Sequence, residues 1–504
     1  MHTIPFEHST WFPKLFKDYI NGNESLKDFY TYEPSLNGLQ EAIKNKKFPR
    51  DRRGILVEVL LDQYRNVEGF INSQVEKNIL ALKENATFTI TTGQQLHPFL
   101  GAEMVFNKIQ AIIDSSKGLS GNGKNTVVPV FWMASEDHDF EEVRTIKFFG
   151  KDFVWEQEQE GAVGRMPTNS LVLIIQEMIN EFSKDEKVVR ILSEYKEIYA
   201  KHSSYADATR EVAFRLFGKH GLVALDADNK KLKGLFKPCL EKEIESNYAL
   251  TSLGESTAKL NQLGYKTVLN PMGKNLFLLK EQHRVKLSNE EAKEYLDNPE
   301  SLSPNVVLRP VYQEVILPNL AYFAGPSELS YWLQLKNVFT SLGVDYPVLL
   351  PRKFTLGIKK RDFNYIIESN LDFVDLFREE EKLIDLLLEK ESEVLQGLLL
   401  EKEQLLSKID VESKKHGASF YKSVKSILIQ ESKSTSTLKK ALKTDLLDQD
   451  KINRLLRIKR AYFEIAQERY VFGIEQEINE KDGFDAVGPY FSTNSHNSIL
   501  VLVK

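Results

Sequence analysis

TFTITTGQQLHPFLGAEMVFNKIQAIIDSS, residues 87–116, followed by TVVPVFWMASEDHDFEE, residues 126–142, is the stretch on which the fold turns. Thr87–Thr92 is rich in β-branched residues and reads as a strand, Gly93 breaks it, and Ala102–Ser116 returns to helical spacing. Val127–Ala134 then reads as a second strand. Strand, glycine-containing loop, helix and strand in that order predict a βαβ unit, and hence a parallel sheet with right-handed crossovers.

Working outward, the same alternation recurs in GLVALDAD, with a strand at Leu222–Leu225 and a helix from Lys230. It recurs again in LAYFAGP, with a strand at Leu320–Ala324 and a helix from Ser327, and Pro347–Leu350 reads as a further strand. Residues 1–86 are expected to be a helical part of the core, with turn signals at Asn21-Gly22 and Asn37-Gly38. The core spans residues 87–365, interrupted by insertions at about 151–215 and 250–305. In the second insertion NLFLL and HRVKL are expected to pair as a hairpin.

Beyond about residue 365 the chain becomes charged and leucine-rich. Leu376, Leu383, Leu387, Val394, Leu398, Leu405 and Ile409 follow an 11-residue repeat, about 3.67 residues per turn, close to the unstrained helix. Ile452, Leu456, Phe463, Ala466, Tyr470 and Ile474 form a second stripe, with Gly417 and KSTSTLKK between the two as turning segments. Residues 366–480 are therefore expected to form an antiparallel coiled coil, with surplus apolar surface for a second subunit. Residues 481–504, with a strand at Ser498–Val503, are expected to return to the core.

Composition narrows the function. The chain has 504 residues, 67 Lys+Arg against 72 Asp+Glu, a net charge of −5, and 42% hydrophobic residues. That excludes global disorder and gives no general pull toward nucleic acid or anionic lipid. A single cysteine, Cys239, forms no internal disulfide and joins no Cys/His cluster with zinc spacing. The start, MHTIPFEHSTWFPKLF, has no secretory pattern, and the longest apolar run, Val127–Ala134, is far short of a membrane span. A cytoplasmic protein is expected.

Open α/β sheets bind ligands at the carboxyl ends of their strands, which makes TTGQQ the first candidate. Thr92 and Gly93 end the strand, Gln94 and Gln95 bring amide donors and acceptors, and the following helix start favours an anion. A plain strand-to-helix turn competes, because neither GxGxxG nor GxxxxGK[ST] is present. Glu136, Asp137, His138 and Asp139 end the next strand, with Glu136 and His138 on one side by alternation. His138 can exchange a proton with a carboxylate orienting it, or the group can hold Mg²⁺ beside a nucleotide. Asp226 and Asp228 end GLVALDAD at the same mouth, where Asp also commonly caps a helix. Gly325 ends the LAYFAGP strand, and Ser327 is the expected helix cap, leaving Glu328, Tyr331 and Trp332 near the mouth. Arg309 and Arg352 offer bidentate clamps for carboxylate or phosphate. RLLRIKR, residues 454–460, reads as solvated helix charge.

TTGQQ, VVPVFWMASEDHDFEEV, GLVALDAD, LRPVYQEVILPNLAYFAGPSELSYWLQL and YPVLLPR, in this order, resemble the BshC family of cysteine ligases in bacillithiol biosynthesis. The resemblance spans most of residues 1–365. It implies a Rossmann-like core with connecting insertions, a C-terminal antiparallel coiled coil through which the protein forms a homodimer, and addition of L-cysteine to glucosaminyl-malate as the final step of the pathway. It places the Gln pair and Lys108 at matching positions, while Leu96-His97-Pro98-Phe99 depart from the family's usual small residues. No HIGH or KMSKS signature is present, so no ATP site transfers from class I synthetases. Because carboxylate and amine do not condense readily in neutral water, ATP activation of the cysteine carboxylate is expected, with Mg²⁺ as its companion. Two rival readings stand beside it: a nucleotidyl or glycosyl transferase on the same fold, and a non-enzymatic dimeric scaffold.

Overall fold

The computed structural model describes residues 2–120, 123–158, 160–280, 283–391, 393–446, 449–463 and 497–503. They divide into two compact units. The larger covers Phe12–Phe354 and the smaller combines Met1–Trp11, Thr355–Gln467 and Ile499–Lys504.

The larger unit is built on five parallel strands: β1 (Thr87–Gln94), β2 (Thr126–Met133), β3 (Val223–Asp226), β4 (Asn319–Ala324) and β5 (Val348–Pro351). Their spatial order is β5-β4-β1-β2-β3. The chain leaves β1 toward β2 and β3, then returns to lay β4 on the other side of β1. A crevice opens at such a reversal, outside the carboxyl ends of β1 and β4. In β1, Phe88 and Ile90 face a hydrophobic core, while the alternate Thr89 and Thr91 hydroxyls donate to Asn319 Oδ1 on β4, at 3.2 and 2.8 Å. Asn319 in turn donates to Glu314 at 2.7 Å. A threonine-rich central strand is thus tolerated because its buried hydroxyls are paired within the sheet.

Helix α1 (Glu103–Ser120) packs on β1 and β2 through Val105, Ile109, Ile112 and Ile113, an i, i+4, i+7, i+8 face. It does not start at the Gln pair. Between them Leu96–Gly101 folds as a buried plug, with Phe99 and Leu100 in the left-handed region at φ 56° and 62°. Tyr199 Oη accepts the Phe99 N–H at 2.9 Å, and Tyr205 Oη donates to the Leu96 carbonyl at 3.1 Å. The plug at residues 96–99 therefore faces the first insertion, whose helices Glu186–Lys201 and Tyr205–Phe217 carry those phenols.

In the second insertion the expected hairpin forms: Leu276–Leu279 pairs antiparallel with Arg284–Leu287, and Leu302–Pro304 adds a third strand.

In the smaller unit the chain runs out through helices Glu380–Glu391 and Glu393–Ser413 and returns through Ala418–Leu446 and Gln449–Tyr462. Ion pairs Glu380–Arg460, 2.8 Å, and Lys402–Glu431, 2.9 Å, tie the two legs. KSTSTLKK does not turn the chain. It lies inside Ala418–Leu446, with the Thr435 and Thr437 hydroxyls donating to the carbonyls of Glu431 and Lys433 one turn back. The 11-residue stripe is also interrupted: Leu376 sits in a separate 3₁₀ turn, Leu383 and Leu387 are buried, and Leu405 and Ile409 are exposed. Ala466, Tyr470 and Ile474 lie outside the described residues. The last strand, Ser498–Val503, pairs between His2–Pro5 and Phe354–Ile358 and not with the parallel sheet.

Candidate functional site

A cleft of about 700 Å³ opens at the carboxyl ends of the parallel strands. Gly93–Gln95, Ala134–Asp137 and Ala227–Asp228 line it from β1, β2 and β3, and Tyr322 lines it from β4.

One wall centres on Lys108. The apolar neighbours that bury α1 carry Lys108 to the end of β1, where its ammonium donates to the Gly93 carbonyl at 2.9 Å, to Gln94 Oε1 at 3.0 Å and to Glu328 at 2.6 Å. Glu328 also accepts from Tyr322 Oη at 2.5 Å. Burial pushes the Glu328 carboxyl up, but Lys108, Tyr322 and Arg309 outweigh it and hold the carboxyl below its ordinary value. Arg309, at the start of helix Arg309–Ile316, lies between the rings of Trp132 and Tyr322 at 5.9 and 5.8 Å. Burial disfavours its cation, yet Tyr322, Tyr331 and Glu328 keep it firmly protonated. Gly93 is required by this packing. A β-carbon there would stand 2.9 Å from Tyr322 Oη.

The opposite wall is a network of carboxylates. Lys233, from helix Lys230–Ser246, pairs with Glu136 at 2.5 Å and Asp228 at 3.0 Å, and Arg165 grips Asp228 through two bonds of 2.6 and 2.9 Å. Burial pushes Lys233 toward the neutral amine, but the two carboxylates hold its value above the ordinary one. For Asp228 burial acts upward and Arg165 with Lys233 prevails, lowering it. Glu136 goes the other way, because burial outweighs Lys233 and raises it. Behind them Asp226 accepts from Ser135 Oγ at 2.5 Å, and burial with the neighbouring Asp228 charge pushes it up to about 6.

The mouth is bounded by His138 and the second insertion. Asp137 accepts from Gln95 Nε2 at 3.0 Å and from the His138 and Asp139 N–H groups at 2.7 and 3.2 Å. Arg284 reaches from its hairpin to His138, and Val268, Met272, Phe277 and Val306 add an apolar rim. Gln334, fully buried, fixes that rim by accepting from the Val268 and Leu269 N–H groups at 3.0 and 2.9 Å.

Of the residues singled out from sequence, Gly93, Gln94, Gln95, Lys108, Glu136, Asp137, Asp228, Arg309, Glu328 and Tyr331 line one cleft. Others do not. Thr92 turns into the sheet and donates to the Phe323 carbonyl at 2.8 Å. Trp332 is fully buried and stacks on Tyr322 at 4.4 Å. Arg352 is buried against Phe354, 4.1 Å from its ring, and donates to the Lys353 carbonyl. Ser327 is exposed one residue inside a helix whose cap is Gly325, with the Gly325 N–H donating to Glu328 instead. Asp226 supports Ser135 and the Asp228 N–H from behind the lining. His138 and Asp139 stand at the edge. Strand alternation does not relate Glu136 to His138, because β2 ends at Met133 and a turn follows. Nor does the start of α1 form an anion cradle: its first turn carries the buried Glu103, and Lys108 supplies the positive charge.

Lys233, Arg165, Ser135, Tyr322 and Arg284 were not singled out from sequence. Lys233 is one of several lysines in KKLKGLFK, and Arg165 and Arg284 sit in insertions with no motif; only the fold brings them to the strand ends. Among the described residues no cluster of three or more His, Cys, Asp or Glu is arranged to hold a metal ion, and no helix is long and apolar enough to cross a membrane.

Residues 1–353 match the family model described as "Bacillithiol biosynthesis BshC, N-terminal Rossmann-like domain". A protein of Flavobacterium johnsoniae named "Putative cysteine ligase BshC" is 34% identical over 88% of this chain and 89% of its own length. Proteins of the same name from Flavobacterium psychrophilum and Cytophaga hutchinsonii are 38% and 34% identical over 76% and 77% of this chain, and 75% of each of theirs. With the parallel sheet, the ordered strand-end motifs and this match over most of its length, the chain belongs to the BshC family.

Proposed function

We propose that the protein is a cysteine ligase of bacillithiol biosynthesis that joins L-cysteine to glucosaminyl-malate through an amide bond, with ATP activating the cysteine carboxylate. The observation that carries this reading is the polarity of the cleft: a cationic wall of Lys108 and Arg309 faces a carboxylate network that includes the lining Glu136. Such a site suits two anionic substrates and a proton released between them. ATP enters as a substrate: a cysteine carboxylate oxygen attacks its γ- or α-phosphorus, the P–O bond to ADP or pyrophosphate breaks with its electron pair on that leaving group, and the acyl phosphate or adenylate that results carries a good leaving group. The amine then attacks the acyl carbon, the C–N bond forms, the acyl C–O bond breaks with its electron pair leaving on phosphate, and the amine gives up a proton. Lys108 and the arginines balance negative charge, Gln94 and Gln95 orient the carboxyl through the hydrogen bonds that hold them, and Tyr331 shapes the pocket. Mg²⁺ would accompany ATP and offset the charge of its phosphates.

We place the enzyme in the cytoplasm, where its substrates and a reduced thiol persist, and as a homodimer that covers the exposed Leu405 and Ile409 of its long helices. Light scattering of the purified chain tests the second point, and a monomer at micromolar concentration rejects it. The reaction is tested by incubating protein with L-cysteine, glucosaminyl-malate, ATP and Mg²⁺, with matched omissions, and detecting the condensed thiol by mass spectrometry. ATP-dependent product is expected; hexose or nucleotide transfer in its place would overturn the ligase reading.

A further inference from the structure

We infer that Arg284 fixes His138 in the neutral tautomer that carries its proton on Nε2, so that His138 serves the condensation as a hydrogen-bond donor and not as the base. The tautomer stands on geometry alone; its use in condensation rests on the ligase reading above.

Arg284 Nη1 lies 3.2 Å from His138 Nδ1. A guanidinium has only N–H donors, so Nδ1 must present its lone pair, and the neutral ring keeps its proton on Nε2. Asp137 does not compete. Its Oδ1 is 3.7 Å from Nδ1 and already accepts two backbone N–H groups, so the arrangement in which a carboxylate receives Nδ1–H is absent at this histidine. Arg284 is itself anchored: Nη2 donates to the Pro304 carbonyl at 3.1 Å, and the guanidinium lies 4.0 Å over the Phe277 ring. Its position is thus set by the insertion sheet before it meets His138. A histidine with Nδ1 engaged and Nε2 protonated has no lone pair left to accept a proton.

Roles at the mouth then separate. His138 donates Nε2–H to the oxygen that gains negative charge as the amine adds to the acyl carbon. The amine's proton goes to Glu136, which lines the cleft and whose carboxyl burial makes more basic. Arg284 acts through His138 and is a positioning residue.

The test uses the full chain labelled with [15N]histidine. Long-range 1H–15N correlation reports which ring nitrogen carries the proton, and His138→Gln assigns the signal. In the wild type at about pH 8 the expected result is a protonated Nε2 and an unprotonated Nδ1. Arg284→Met should bring Nδ1–H up to the minor share it has in a free imidazole and lower kcat by about 100-fold while changing KM by less than about threefold, the scale of a misplaced proton donor. Arg284→Lys, which also only donates, should recover part of both. A wild-type ring protonated on Nδ1 overturns the proposal, as does an Arg284→Met variant whose tautomer ratio and kcat both match the wild type. If Arg284→Met does not fold, the wild-type spectrum decides. Absence of condensation by the wild type counts against the ligase reading and leaves the tautomer to be judged from the same spectrum.

Discussion

Replacing Asp226 by Asn should stabilise the protein at neutral pH, although it removes a charged group from beside the cleft. Gln63 clamps the Asp226 main chain from both sides, with Nε2 donating to its carbonyl at 2.6 Å and Oε1 accepting its N–H at 3.2 Å. The carboxylate is therefore fixed where burial and Asp228 both oppose its charge, and the nearby Arg210 only partly offsets them. Its value rises from 3.8 to about 6. Below the unfolded value both states are protonated and the site carries no penalty. As pH rises from there through about 6, the unfolded chain loses its proton first and the folded state loses stability. A rise of that size corresponds to about 3 kcal/mol as an upper bound, and partial access of water reduces this to about 1–2 kcal/mol. Asn keeps an oxygen for Ser135 Oγ and the Asp228 N–H while removing the repulsion. Thermal melts should place Asp226→Asn about 2–4 °C above the wild type at about pH 7.5, the gap closing by about pH 4.5. A variant that melts below the wild type at neutral pH, or a gap that does not shrink on acidification, would refute the reasoning.

Gly93→Ala should push the Tyr322 hydroxyl off Glu328, since the added carbon would meet it at 2.9 Å; condensation kinetics should show kcat/KM falling by about tenfold or more, the effect of about 1.4 kcal/mol, with a near-normal melt. Tyr199→Phe leaves the buried Phe99 N–H without its acceptor in left-handed backbone, and urea titration should show a loss of about 1–3 kcal/mol. Lys233→Met strands Glu136, 2.5 Å from the ammonium, and leaves Asp228 to Arg165 alone, and should cost about 3–5 kcal/mol at neutral pH. Denaturation at lower pH should recover much of that loss as Glu136 takes up a proton.

How far the site could be read from sequence follows from which of its groups are local in the chain. Gly93, Gln94, Gln95, Glu136 and Asp137 close strands that announce themselves by β-branched runs, and parallel order alone puts strand ends at one edge. Their partners come from elsewhere: Lys233 from a helix of ordinary composition, Arg165 and Arg284 from insertions, where no periodicity says which residue will point inward. The errors share a cause. Thr92 and Trp332 each sit one residue from a lining position and Arg352 directly follows β5, and what sends them away is a pairing that needs the neighbouring strand or ring to be known: Phe323 for Thr92, Tyr322 for Trp332, Phe354 for Arg352. KSTSTLKK failed as a turn for the opposite reason, because its hydroxyls found local carbonyls within the helix. Charge compensation across the cleft is therefore a property of the tertiary fold: Lys108–Glu328 joins two helices on one wall, and Lys233–Glu136 joins a helix to the segment after β2 on the other. A substrate that enters between these walls meets groups whose charges are already balanced, so binding must displace or extend an existing pair. For an anion the available extension is Arg309, held between Trp132 and Tyr322 with no carboxylate ion pair of its own in the geometry described. For a proton it is Glu136, which burial has already moved toward accepting one.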